Sequence, residues 1–310
     1  MRATSNRTRL GLVAGFTALG AFASVGSATA ATNLNGNWAP FNRCPVDAPA
    51  MLAADGGTDT AVCVSSISGS GTIKLGNTTV PFGKSDLQVG VVTHPNNQST
   101  VVSPAGGALI AASANIPGGL LGLMCPSSVP VVTAVCNTLT DVSLNKVTAT
   151  IESVNSPSDF KLLAGLGTTT PIIQLPVRIH LDNPLLGDKC YIGSSSNPIL
   201  LRPQNKTLPA VSSNQFNGDG SDNPEGVLGR ISLIGATQHD TTFAVPGATG
   251  CGLGLLNWAV NLKTALPAAS GTNFVQLNNA QTHVATIQDP GAAAPNAGKL
   301  LSEYWHSAVK

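Results

Sequence analysis

Apolar positions along this chain recur mostly at intervals of two, in short β-branched runs cut by Gly, Pro, Asn and Ser. That pattern predicts strands and tight turns. TIKLGNTTVPF, residues 72–82, reads as a hairpin turning at Gly76-Asn77. LQVGVVT (87–93) and STVVS (99–103) are strands flanking the polar HPNNQ. KVTATIESV, residues 146–154, alternates, with Val147, Ala149, Ile151 and Ser153 on one face. IIQLPVRIHL, residues 172–181, is the strongest strand, and its Pro176 predicts an edge position or a bulge. ILLR (199–202), RISLIGA (230–236) and TTFAV (241–245) continue the series.

Helical spacing is confined to a few places. PGGLLGLM (117–124) predicts a short turn of helix. GLGLLNWAVNLKTAL (252–266) sets Leu255, Trp258, Ala259 and Leu262 at i, i+3, i+4 and i+7, the spacing of a buried stripe, with Trp258 expected in the core. NFVQLNNAQTHVATI (273–287) fits helix or strand. The expectation is a mainly β chain, an antiparallel β-sandwich or barrel-like body with a few short helices. One β-rich domain spans 31–288, any two halves meeting near 204–226, and 289–310 follows as a C-terminal arm.

The first thirty residues change the picture from fold to compartment. Arg2, Arg7 and Arg9 precede LGLVAGFTALGAFASVGSATA, and Ala28-Thr29-Ala30 fits signal-peptidase cleavage. The expected mature chain is secreted, carries a net charge of about −2, and has no membrane span. Only 10% of residues are charged, so surface polarity comes from Ser, Thr, Asn and Gln. No basic cluster suits nucleic acid or an anionic membrane surface. A neutral polar surface leaves self-association, or adhesion to a cell-wall or extracellular polymer, unopposed by charge.

The candidate chemistry is sparse. Cys44, Cys63, Cys125, Cys136, Cys190 and Cys251 are even in number and lack metal spacing, which after export predicts three disulfides. Nearest-neighbour pairing is the expectation: Cys44–Cys63, Cys125–Cys136 and Cys190–Cys251. HLDNPLLGDKCYIGSSSNPI, residues 180–199, offers His180, Asp182 and Ser194–Ser196 as a hydrolytic set, but no G-x-S-x-G elbow exists and its Asx-Pro steps are turn formers. We read it as a structural corner. Ser158-x-x-Lys161, Ser221-Asp222-Asn223 and Lys263-Thr264 follow the order of penicillin-recognising enzymes, with Ala265 where a glycine is needed. Asn217, Asp219, Ser221 and Asn223 alternate like the first ligands of a calcium loop, with Leu228 where the closing glutamate should stand.

VRIHLDNPLLGDKCYIGSSSNPILL (177–201) resembles a segment of secreted, disulfide-containing proteins of actinobacteria whose function is unassigned. NWAPFNRCPVDAPAML (37–52), TTFAVPGATGCG (241–252) and NWAVNLKTALPAASGTNFVQLN (257–278) resemble the same group. The resemblance implies export and a frame held by Cys190 and Cys251, and supplies no catalytic residue. The expected role is a non-enzymatic protein of the cell envelope or extracellular matrix, with a secreted serine hydrolase as the alternative.

Overall fold

The computed structural model describes residues 32–96, 98–125, 133 and 142–310. The expected signal segment and Cys136 lie outside them. The described chain is mostly antiparallel β-sheet with short helices.

A long hairpin folds around one tight turn. β1 (Thr60–Ser68) and β2 (Ser70–Leu75) form one arm, β3 (Thr78–Phe82) and β4 (Ser85–Thr93) the other. Leu75 pairs with Thr78 across the two-residue turn at Gly76-Asn77, and the same register runs on to Thr60 opposite Thr93. β5 (Ser99–Val102) and β6 (Leu109–Ala111) line the outer edge of β4, and β7 (Ala114–Asn115) continues them. β8 (Thr148–Ser153) pairs with β6 and β7 on one side and with β9 (Leu175–Asp182) on the other. β10 (Tyr191–Ile192) and β11 (Ile199–Leu201) share the far edge of β9. Pro176 is therefore not on an edge strand: it sits one residue into β9, opposite Leu200 of β11, and its carbonyl accepts from Val154 N at 3.1 Å.

Closure follows from a short stretch of chain. Three residues after β11, β12 (Gln204–Asn205) pairs with β14 (Leu228–Asp240) at the opposite end of the sheet. β13 (Ala210–Phe216) forms a hairpin with β14, β15 (Ala248–Thr249) adds to β10, and β16 (Phe274–Ile287) lies between β14 and the β1–β2 arm. The strands thus join into a barrel-like ring. Within the 204–226 segment, Gln204–Asn205 and Ala210–Phe216 are strands of that ring. TTFAV is not a strand; it contributes an isolated bridge from Val245 to Ala268.

A crease crosses four strands of the ring. Inward residues run 64, 66, 68 and then 71, 73, 75 along β1–β2, and 80, 82 and then 85, 87, 89 along β3–β4. β16 switches between Leu277 and Ala280, and β14 between Leu233 and Ala236. One added residue reverses every later side chain. Gly69 and Gly83 mark the switches on the hairpin, while Gly235 (φ +87°) and Asn279 (φ +52°) mark them on β14 and β16. Because neighbouring strands each add one, pairing resumes in register.

The crease separates two packing environments. Inside the ring, Ile73, Phe82, Ile179, Leu181 and Val275 pack with Cys190 and Cys251. The end is covered by α2 (Gly119–Met124) and α4 (Asn257–Thr264), the latter burying Ala259 and Val260; α1 (Pro49–Ala53), α3 (Val142–Asn145) and α5 (Ala297–Ser307) are further short helices. Outside the ring, the 3-10 turn Gly36–Phe41, α1 and α5 pack on Ala61, Cys63, Ala285 and Leu228. The C-terminal segment expected as an arm is docked, because Leu301 and Trp305 are buried there and Trp305 Nε1 donates to Phe41 O at 2.8 Å. The stripe expected in α4 is also corrected. Leu255, Trp258 and Leu262 face solvent, and Leu256, Ala259 and Val260 face the core.

Candidate functional site

Two hollows differ in kind. The one inside the ring is about 80 Å³, walled by Leu87, Ile151, Leu175 and Leu277, with Ser66 Oγ and Thr282 Oγ1 satisfying each other at 2.8 Å. That is below the roughly 150 Å³ of an apolar cavity that accepts benzene, so it is a packing void. The other is an open cleft of about 710 Å³, within the ~300–1,000 Å³ range of ligand sites.

The cleft is built where β13, β14, β16 and β1 meet the Leu162–Leu166 3-10 turn and the 217–226 loop. Val62, Leu162, Ile231 and Val284 supply apolar surface. Ser213, Gln215, Asn223, Thr286 and Gln288 supply neutral donors and acceptors, and Arg230 and Asp222 the charges. The strand register puts polar and apolar wall residues on one face: Ser213 lies opposite Ile231 and Ile231 opposite Val284, while Gln215 and Thr286 flank Gly229.

The 217–226 loop contains the four residues expected as calcium ligands, and it brings them together. They bond one another: Asn217 Nδ2 donates to Ser221 Oγ at 3.0 Å, Ser221 N and Oγ donate to Asp219 Oδ1 at 2.9 and 2.7 Å, and Asn223 Nδ2 donates to Asn217 Oδ1 at 2.8 Å. The Ser221 hydroxyl and amide hold the Asp219 carboxyl below the usual range. Among the described residues no three His, Cys, Asp or Glu cluster as a metal site.

Asn37 staples this loop to the N-terminal segment. Its Nδ2 donates to Gly220 O at 3.1 Å and Asp222 Oδ1 at 2.8 Å, and its Oδ1 accepts from Asn214 Nδ2 at 2.9 Å. The approach requires glycine: Gly36 has φ +46°, and a Cβ there would stand 2.1 Å from Gly220 O. Arg230 Nη1 reaches Asn37 O at 3.5 Å, and burial lowers its pKa against the opposing pull of Asp222.

Behind Arg230 runs a polar row that periodicity did not reveal. Ser212, Ser232, His283, Ser65 and Gln88 lie opposite one another across five strands. Ser232 Oγ and His283 Nδ1 are 2.9 Å apart, and burial, then Arg230, depress the imidazole pKa. The only sign in the sequence was a polar residue at alternate positions of RISLIGA; nothing marked its partner. Ser232 is only 5% exposed, and His283's one hydrogen-bond partner among the described residues is that hydroxyl, so the pair lacks both access and an orienting carboxylate.

The other sequence candidates do not assemble. His180 stacks on Tyr191 with ring centroids 4.7 Å apart and lies 3.7 Å from Glu152, which is paired with Arg178 at 2.8 Å. Asp182 pairs instead with Thr148, and Ser194 Oγ accepts from Asn197 N at 3.0 Å in its own turn. Ser158 sits in a β-bridge to Gln174 and not at the start of a helix. Lys263 is exposed on α4, and no hydrogen bond connects it to Ser158 or Ser221. Disulfides join Cys44 to Cys63 (Cα–Cα 5.7 Å) and Cys190 to Cys251 (4.1 Å), the latter at the 180–199 corner; Cys125 is not a free thiol.

No protein-family model matches the chain, and none of the curated proteins or solved structures matches it.

Proposed function

We propose that the protein is an exported, non-enzymatic component of the cell envelope or extracellular matrix that binds a polar polymer in the cleft beside β13. The observation that carries this is the composition of that cleft. Side-chain amides and hydroxyls surround an apolar floor of Val62, Leu162, Ile231 and Val284. Such a wall hydrogen-bonds neutral hydroxyl- and amide-bearing chains without demanding a counter-charge. The leader-like first thirty residues, the two disulfides and the resemblance to secreted actinobacterial proteins support the exported setting.

Sedimentation with insoluble peptidoglycan and other wall polysaccharides tests it. Capture is expected for the native protein and a loss of at least tenfold for Ser213→Trp, which fills the cleft. Equal capture of both, or none by any polymer, overturns the reading. For the hydrolase alternative, a fluorophosphonate probe is expected to leave the protein unlabelled. Labelling that disappears in Ser232→Ala would establish that alternative instead.

A further inference from the structure

We infer that the α4 end of the ring is a lipid-surface docking site. Leu253 is 100% exposed, Leu262 75%, Leu255 71% and Trp258 39%. Leu255, Trp258 and Leu262 are spaced i, i+3, i+7 and form one solvent-facing stripe, while Leu256, Ala259 and Val260 hold the opposite face to the core. A large apolar stripe turned outward from a helix whose other side is already packed calls for an external partner.

The presentation is rigid. Leu253 adopts a left-handed backbone (φ +57°) between Gly252 (φ +54°) and Gly254 (φ +93°), a conformation leucine avoids. The turn is held by the Cys190–Cys251 disulfide, by Cys251 N donating to Asn257 Oδ1 at 2.8 Å, and by Gly252 N donating to Leu186 O at 2.7 Å. Leu253 thus stands out as a fixed wedge.

Four features select a lipid surface over a second copy of the chain. Four side chains cannot reach the ~800 Å² per partner of a stable protein interface, and a leucine on a protruding turn meets a deformable surface more readily than a self-complementary one. Trp258 Nε1 has no hydrogen-bond partner among the described residues, which suits an indole at a headgroup boundary. Lys263, exposed next to Leu262 on α4, brings an ammonium group to the same helix as the stripe. No helix of the described residues is long and apolar enough to cross a membrane, so the contact is peripheral.

The test is sedimentation of the oxidised protein with phosphatidylcholine vesicles carrying phosphatidylglycerol. Partitioning is expected, and Leu253→Ser/Leu262→Ser should weaken it at least tenfold while leaving the thermal midpoint unchanged. Should that pair fail to fold, Leu262→Ser alone is expected to weaken it about threefold. Tryptophan emission should shift to shorter wavelength on vesicles. Trp38 and Trp305 are buried, so Trp258→Phe should abolish the shift. A protein that stays in the supernatant, or partitions equally with and without the leucines, overturns the inference. So does self-association in the absence of vesicles that Leu253→Ser/Leu262→Ser abolishes.

Discussion

Gly90 of β4 lies directly under Met51 of α1: a Cβ on Gly90 would stand 2.7 Å from Met51 Sδ and 3.1 Å from Met51 Cγ. The helix α1 seats itself on the sheet because one strand position lacks a side chain. Gly90→Val should destabilise the protein by about 1–3 kcal/mol through overpacking. Met51→Ala alone should cost about 2–5 kcal/mol through the cavity it leaves. The double variant should cost clearly less than the sum, measured by denaturant unfolding. Strict additivity would show that α1 is not held by this contact.

Two disulfides among the described residues serve different layers, Cys44–Cys63 the outer one and Cys190–Cys251 the ring interior. Their sequence separations are 19 and 61. Loop entropy then assigns about 3 kcal/mol to the first and about 4 kcal/mol to the second. Replacing each pair by alanines and comparing unfolding free energies should reproduce that order. The reverse order would indicate that packing around Cys44 and Cys63, not loop length, sets their worth.

Much of the ring was legible because its signals are local. Gly76-Asn77 between alternating runs dictates a two-residue hairpin, and KVTATIESV carries its buried face in its own spacing. The crease was not legible, since a one-residue parity change at Gly69 or Asn279 looks like the end of one strand and the start of another. The α4 stripe was misread for a related reason. LLNWAVNL is apolar on two sides, so spacing alone cannot choose between Leu255/Trp258/Leu262 and Leu256/Ala259/Val260. The choice is made by the Gly250–Gly254 turn and its disulfide, which fix the helix's rotation. The cleft was illegible because it joins Val62, Leu162, Gln215 and Thr286, residues far apart in sequence that meet through long-range strand pairing.

His283 makes stability depend on pH in a defined direction. Burial and then Arg230 keep its folded pKa below the ordinary 6.5, so the fold holds a neutral ring. The unfolded chain takes up the proton first. This site's contribution is complete above pH ~6.5, declines as pH falls through the folded pKa, and is lost below it. Unfolding midpoints at pH 7.5 and 5 should show a decline that His283→Gln reduces. Arg230→Gln, which removes the second cause, should raise the ring pKa in an NMR titration. An unchanged pKa in that variant would leave burial as the whole cause.

Asn37 is the residue on which the cleft wall depends. It is buried, donates to Gly220 O and Asp222 Oδ1, and accepts from Asn214, so no isosteric replacement keeps all three bonds. Asn37→Asp sets a carboxylate against the Asp222 carboxylate and the Gly220 carbonyl, and should cost roughly 3 kcal/mol. Asp222→Asn restores a donor opposite it, so Asn37→Asp/Asp222→Asn should recover about half of that loss. Urea unfolding of the three variants measures the coupling. Because the loop carrying Asp222 and Asn223 walls the cleft, polymer capture should fall with Asn37→Asp and return in part with the second change. Stability that recovers while capture does not would separate the loop's structural role from binding, and would place the polymer contact elsewhere on the surface.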